Sequence, residues 1–224
     1  MKNNKTAKKL TVAIPTRDGG GSILKTVKNI LNSKNVGMFD FFVVADSLQK
    51  DLREKLKTLG IRVHENNRSE SLLYKMKQLL DQSNSEIIIY SNDDVLFDPN
   101  AFAAIVKKFD SDPFVTMIFA KVEPVKPQSV LEFVLGAGVN LTNRIGFLWN
   151  KGDNYLLANG RCMAFRTKHL KKFRFPSTVT NVDGFLYFEN KRSGGKFKCD
   201  RDVVVYNKSP RHLNEHLNQS SRFQ

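Results

Sequence analysis

Two cysteines, Cys162 and Cys199, are too few for a disulfide framework or a zinc site, so reduced cytosolic thiols are the default. No apolar run approaches the roughly 18 to 20 residues of a membrane span, and the N-terminus lacks the apolar core of a signal peptide. There is no internal repeat and no low-complexity linker. Acid is scarce beside base: 22 Asp and Glu against 36 Lys and Arg leave a formal charge of +14. Neither zinc-finger spacing nor an aromatic RNA-binding signature accompanies that charge, which argues against nucleic acid. Phosphorylated small molecules and anionic lipid remain as partners, with plain solubility as the bland reading. What is present is an ordinary globular composition: 224 residues, 41% hydrophobic, enough for one large domain or two small ones.

The stretch from Glu86 to Pro99 is the informative one. Ile87, Ile88, Ile89 and Tyr90 form a continuous β-branched and aromatic run, as in a strand covered on both faces. Ser91, Asn92, Asp93 and Asp94 follow without an apolar residue until Val95. Asp98-Pro99 reads as an N-cap and first helical position before Ala101, Phe102, Ile105, Val106 and Phe109 at helical spacing. Adjacent carboxylates at the carboxyl end of a central strand lie where open α/β sheets bind ligands. They are costly together unless a cation or donor sits between them. A divalent-metal and diphosphate site is one reading. A polar loop capping the next helix is the other.

In chain order, Leu10–Ile14 is a strand closed by Pro15. The loop Thr16-Arg17-Asp18-Gly19-Gly20-Gly21 leads to a helix capped by Ser22, with apolar positions Leu24, Val27, Ile30 and Leu31. The dinucleotide spacing G-x-G-x-x-G fails at Leu24, and no Walker lysine follows. Phe41–Ala45 is a second buried strand ending at Asp46-Ser47. Leu48, Leu52, Leu56 and Leu59 mark a helix stopped by Gly60. Ile61–His64 is a short strand, and Leu72, Leu73, Met76, Leu79 and Leu80 the next helical face. This alternation predicts an α/β fold with a mostly parallel sheet and helices on both faces.

Phe114–Ala120 is a fifth strand, and the grammar changes at Pro124 and Pro127. Residues 128–139 read as a helix ending at Gly136 and Gly138, and 140–154 as irregular. Tyr155–Phe165 reads as strand pieces around the turn Asn159-Gly160. Asp183–Glu189 opens a helix that stops at Gly194-Gly195, and Phe197 and Val203–Tyr206 read as two last strands. The whole reads as one domain over 1–224, with a first half over 10–123 and a second half over 124–224.

These residues together resemble family 2 glycosyltransferases of the GT-A fold, over nearly the whole chain. Thr11-Val-Ala-Ile-Pro-Thr16 looks like the family's first strand and nucleotide-binding turn. Phe42-Val-Val-Ala-Asp46-Ser47 looks like the strand end whose Asp contacts uracil. Asn92-Asp93-Asp94 stands in the place of its D-x-D motif, with Asn at the first position. Asn159-Gly160-Arg161 and Ala164-Phe165-Arg166 are similar to its acceptor-side glycine and following strand. Val182-Asp183 sits where the family has its E-D motif. Gln219-Ser-Ser-Arg222-Phe223 resembles Q-x-x-R-W, with Phe for Trp.

The resemblance implies a Rossmann-like GT-A sheet with an acceptor-side elaboration, and metal-dependent inverting transfer from a UDP-linked donor to a glycan or lipid-linked acceptor. Asp183 is then the base, for which the rival role is capping its own helix. Pro15, Thr16, Arg17, Asp18, Asp46, Asn92 and Asp93 hold the donor. Asn159, Gly160, Gln219, Arg222 and Phe223 meet the acceptor. Asp94, with Asp93, binds Mn2+ or Mg2+, since carboxylate and phosphate oxygens suit both ions. A cytoplasmic protein, peripheral at the inner membrane face, is the expected setting. The alternative is a degenerate, non-catalytic GT-A domain that docks on anionic membrane or nucleic acid.

Overall fold

The computed structural model describes residues 9–210, 213, 214 and 217. The first strand, β1 (Leu10–Pro15), is buried along its whole length. After a glycine-containing loop come α1 (Ile23–Leu31), β2 (Asp40–Ala45), α2 (Lys50–Thr58), β3 (Arg62–Glu65), α3 (Leu72–Gln82) and β4 (Ile87–Ser91). β1 lies between β2 and β4, parallel to both, and β3 runs parallel to β2 at the edge. The second half adds β5 (Leu96–Phe97), α4 (Ala101–Ser111), β6 (Val115–Pro124), α5 (Val130–Leu148), β7 (Cys162–Arg166), α6 (Thr167–Leu170), α7 (Val182–Arg192) and β8 (Lys196–Asn207). One eight-stranded sheet results, in the order β3-β2-β1-β4-β7-β6-β8-β5.

Strand residues alternate between two cores, because successive side chains point to opposite faces. Val12, Ile14, Val43, Ile87 and Ile89 meet Ile23, Val27 and Ile30 of α1, Leu56 of α2 and Phe102, Ile105 and Phe109 of α4. Ala13, Val44, Ile88 and Tyr90 meet Leu73, Met76, Leu79 and Leu80 of α3 and Leu186 and Tyr187 of α7. Both faces are therefore dry, which is why the strands carry unbroken apolar runs. β7 enters antiparallel between β4 and β6, with Ser91 opposite Cys162, and joins the two halves.

The second half corrects several expectations. α5 does not end at Gly136 or Gly138 but runs 19 residues to Leu148. Its glycines serve close approach: a Cβ on Gly136 would lie 3.2 Å from Pro124, and one on Gly146 2.6 Å from Leu157. The N-terminus of α5 is held reciprocally: the Ser129 hydroxyl accepts from the Glu132 N–H at 3.2 Å, and the Glu132 carboxylate from the Gln128 N–H at 2.5 Å. Short 3-10 turns follow at Trp149–Gly152, in the stretch read as irregular, and at Tyr155–Leu157, where a strand piece is expected. The two last strands are one, β8, with a register shift opposite Ala120 and Lys121. Asn100, not Asp98, stands at the start of α4, and the Asp98 side chain instead accepts from the Asn100 N–H at 2.9 Å. Ser22 is at the cap position of α1 but its hydroxyl makes no capping bond.

Candidate active site

The carboxyl ends of β1, β2 and β4 and the amino end of the antiparallel β7 share one edge of the sheet. The loop after β1 is tied down at both sides. The Thr16 N–H bonds to the Val44 carbonyl at 2.8 Å, and the N–H groups of Asp46 and Ser47 bond to the Arg17 carbonyl at 2.9 and 2.8 Å. The Thr16 hydroxyl donates to the Asp93 carboxylate and accepts from the Gly19 N–H at 3.0 Å. Gly19, at φ +80, takes a left-handed turn that an L side chain rarely adopts, and a Cβ there would also strike Leu52 at 2.7 Å. Asp18 turns its carboxylate onto the Gly20 N–H at 3.0 Å, closing the loop locally.

Asp46 points into the protein. Its carboxylate accepts from Lys75 of α3 at 2.7 Å and from the Asn66 amide at 3.3 Å. The two charged side chains are only 5% and 6% exposed, so the ion pair is buried. Parting such a pair strands a charge, at about 3–5 kcal/mol, which holds Asp46 in one orientation. Lys75 was not singled out from the sequence. Its signal was there: a lysine inside the apolar stripe of Leu72, Met76 and Leu79.

At the end of β4 the three polar residues divide their work. Asp93 is half-buried and committed to Thr16, while its carbonyl accepts from the Thr26 hydroxyl at 3.0 Å. Asn92 and Asp94 are exposed. Asp94 stands on the wall of a cavity of about 870 Å³, together with Ser22, Lys25, Thr26, Glu132 and Lys208. Among the described residues no group of three or more His, Cys, Asp or Glu forms a protein cage for a metal ion. Asp94 alone of the adjacent pair lines this cavity, and a single carboxylate suits only an ion that draws most of its oxygens from phosphate and water, as Mg2+ does.

Across the edge, the Asn159-Gly160 turn leads into β7. The Asn159 amide is spent on the Ala120 and Leu157 carbonyls, at 2.9 and 3.3 Å, so its role here is to shape the turn. Gly160 donates its N–H to Asp183 and leaves room for it: a Cβ at Gly160 would lie 2.6 Å from Asp183 Oδ1. Asp183 does not cap α7. The cap is Asn181, whose side chain accepts from the Gly184 N–H at 2.9 Å. Burial pushes the Asp183 carboxyl up to about 6, against the Gly160 N–H and the Arg161 charge, which pull it down. Arg161 itself is pulled down by burial and held up by the charges of Asp94 and Asp183. It is the cation common to both sides of the site, and the sequence reading gave it no role.

Arg166 spends its guanidinium on the Val115 and Phe109 carbonyls, at 2.8 and 2.6 Å. His64 is exposed on the edge strand β3. Trp149 is neither core nor a lining of the Asp94 cavity but packs edge-on to Tyr155, 5.4 Å between ring centres. Gln219, Arg222 and Phe223 lie outside the described residues.

Comparison with known proteins gives three findings. The family model described as "Glycosyltransferase like family 2" matches residues 7–224. No curated protein matches the sequence. Among solved structures, a mannosyltransferase, PcManGT from Pyrobaculum calidifontis in complex with GDP-Man and Mn2+, superposes with a TM-score of 0.67 at 18% identity, over 95% of this chain and 60% of that one. S. aureus TarS superposes with a TM-score of 0.67 at 16% identity, over 90% of this chain and 37% of that one. Its fragment 1-349 in complex with UDP-GlcNAc gives 0.67 at 17% identity, over 91% of this chain and 59% of that one. The chain thus spans about 37–60% of the length of these three structures.

Proposed function

The chain belongs to glycosyltransferase-like family 2, and from that premise we propose that it moves a sugar from a nucleoside-diphospho-sugar, UDP-linked, to an acceptor hydroxyl with inversion. The observation that carries this reading is the pair formed across Arg161: an Asp183 carboxyl raised by burial to about 6 on one side, and the exposed Asp94 on the other. A base poised near neutral pH opposite a carboxylate that could hold a diphosphate through a divalent cation is what such a transfer requires.

Asp46, fixed by Lys75 and Asn66, is assigned the nucleobase side of the donor on the family pattern. Pro15, Thr16, Arg17 and Asp18 line the ribose and phosphate side, and Asn92 and Asp93 continue it. Mn2+ or Mg2+ would be held by Asp94 with help from Asp93; when bound, such an ion neutralises the leaving diphosphate as a Lewis acid. Asp183 accepts the acceptor hydroxyl's proton as its oxygen bonds to the anomeric carbon. The bond to the diphosphate breaks, and its electrons leave with the nucleoside diphosphate. Lys25 and Lys208, on the wall of the Asp94 cavity, add positive charge beside that path. The acceptor is a glycan or lipid-linked sugar, met at Gly160 and at Gln219, Arg222 and Phe223, by a cytoplasmic protein working at the inner membrane face.

The test is release of UDP from a panel of UDP-sugars in the presence of Mn2+, with and without acceptor, and the anomeric configuration of the product by NMR. Slow UDP release from one donor is expected. Failure of every nucleotide sugar either to bind or to turn over overturns the reading in favour of a non-catalytic domain. Gly160→Ala is a sharper probe. The added Cβ displaces the Asp183 carboxylate, so turnover is expected to fall roughly 10²-fold while UDP affinity holds.

A further inference from the structure

Among the described residues, helix α5 has a face without a partner. Val130, Phe133, Val134, Leu141, Ile145 and Leu148 are all exposed, Val130 and Leu148 by 81% and 82%. At 100° per residue they fall within an arc of about 120°, along a helix roughly 28 Å long. Past its end the apolar surface continues through the rings of Trp149, Tyr155 and Phe188, with centres 5.4 and 6.3 Å apart in sequence. A contiguous apolar stripe of this size on a water-soluble surface marks an interaction site. No helix of the described chain is long and apolar enough to cross a membrane.

The charges beside the stripe say what covers it. Between Pro124 and Gly152 the exposed charged residues are Lys126, Arg144 and Lys151; the one acid, Glu132, is 4% exposed. On the flank of α5 a cavity of about 250 Å³ is lined by Lys121, Arg144 and Arg201 with Asn140 and Asn143. Arg201 stacks over Phe147, 4.5 Å from the ring centre, and Lys121 is paired with Glu123 at 2.6 Å. Pairing two copies antiparallel through α5 would bring Lys126 of one to Lys151 of the other, like charge on like. A surface of anionic headgroups over an apolar interior satisfies stripe, rim and cavity together.

We propose that the exposed face of α5 is a docking surface for an anionic bilayer, with its apolar stripe in the headgroup boundary and Arg144 and Arg201 on lipid phosphate. This deepens the transferase reading, since it names the surface at which the acceptor is met. It is tested without donor, so either can fail alone.

The experiment is co-sedimentation of the full chain with phosphatidylcholine vesicles, with and without phosphatidylglycerol. Binding is expected only with the anionic lipid, weakened by molar salt. The double variant Leu141→Glu/Leu148→Glu should partition at least about tenfold more weakly, with unchanged melting temperature. A charge-reversed Arg144→Glu chain should weaken in the same direction. Absence of binding to anionic vesicles overturns the proposal, as does wild-type binding by the double variant. So does a lipid-free dimer of the parent chain that the double variant dissociates, which would assign the face to a second copy.

Discussion

An Asp183→Asn chain is expected to lose roughly 10² to 10⁴-fold in sugar transfer while binding UDP and Mn2+ as the parent does. It loses the base and little else, because Asn181 caps α7 and Asn is of the same size as Asp. The pH dependence has a defined sign. The carboxyl titrates at about 6 rather than at its ordinary 3.8, so the active, ionised fraction climbs through pH 6 and turnover follows it. Steady-state rates against pH check this: the parent should show an acid limb with its midpoint near 6, absent from the variant.

Stability moves the other way. Between about pH 4 and 6 the folded protein keeps a proton that the unfolded chain has released, so stability falls as pH rises through that window. Above it, holding a buried charge costs the fold up to about 3 kcal/mol. Asp183→Asn should therefore melt at a higher temperature than the parent at pH 8, with the gain gone at pH 4. A dead but stabilised variant separates a base from a mere packing residue.

The second large effect is expected at Asp94. Asp94→Ala should abolish the Mn2+-dependent part of UDP-sugar binding, a loss on the order of 10²-fold, measured by titration calorimetry with Mn2+ and again with EDTA. Asp93→Ala should behave differently. Asp93 is already hydrogen-bonded to Thr16, so its loss releases the first loop and weakens nucleotide binding with or without the ion. If Asp93→Ala removed the Mn2+ dependence and Asp94→Ala spared it, the assignment would be reversed.

Most of the first half was legible from the chain because its inner strands β1, β2 and β4 are buried on both faces and its helices on one. The runs Leu10–Ile14, Phe41–Ala45 and Ile87–Tyr90 carry that signature without interruption, and the structure places strands on all three. The second half was harder for a physical reason. Glycine costs a helix about 1 kcal/mol against alanine, so Gly136 and Gly138 read as a stop. Contact of α5 with Pro124 and Leu157 at Gly136 and Gly146 outweighs that cost, and such contact is not local in sequence. In β8 the polar run Asp200-Arg201-Asp202 read as a break between strands. It is the bulge, held by the Asp202 N–H on Asp200 at 3.0 Å and by Lys108 on Asp200 at 2.8 Å.

For the site, the carboxylates were legible and their partners were not. Asp46, Asp94 and Asp183 end or begin elements, where polar residues stand out. Lys75 is hidden among apolar neighbours, and Arg161 acquires meaning only when β7 pairs with β4. The bland role for Asp183, a helix cap, could be dismissed only by seeing Asn181 fill it.

The bond between Thr16 and Asp93 ties the loop that would grip the nucleotide to the carboxylate beside the ion. On the proposed assignment the two ligands then share one energetic account. Whatever free energy the cation adds to nucleotide affinity through this link, the nucleotide must return in equal measure to cation affinity. A mutation at Thr16, 77 residues from Asp93 in sequence, would then show itself as an altered appetite for metal.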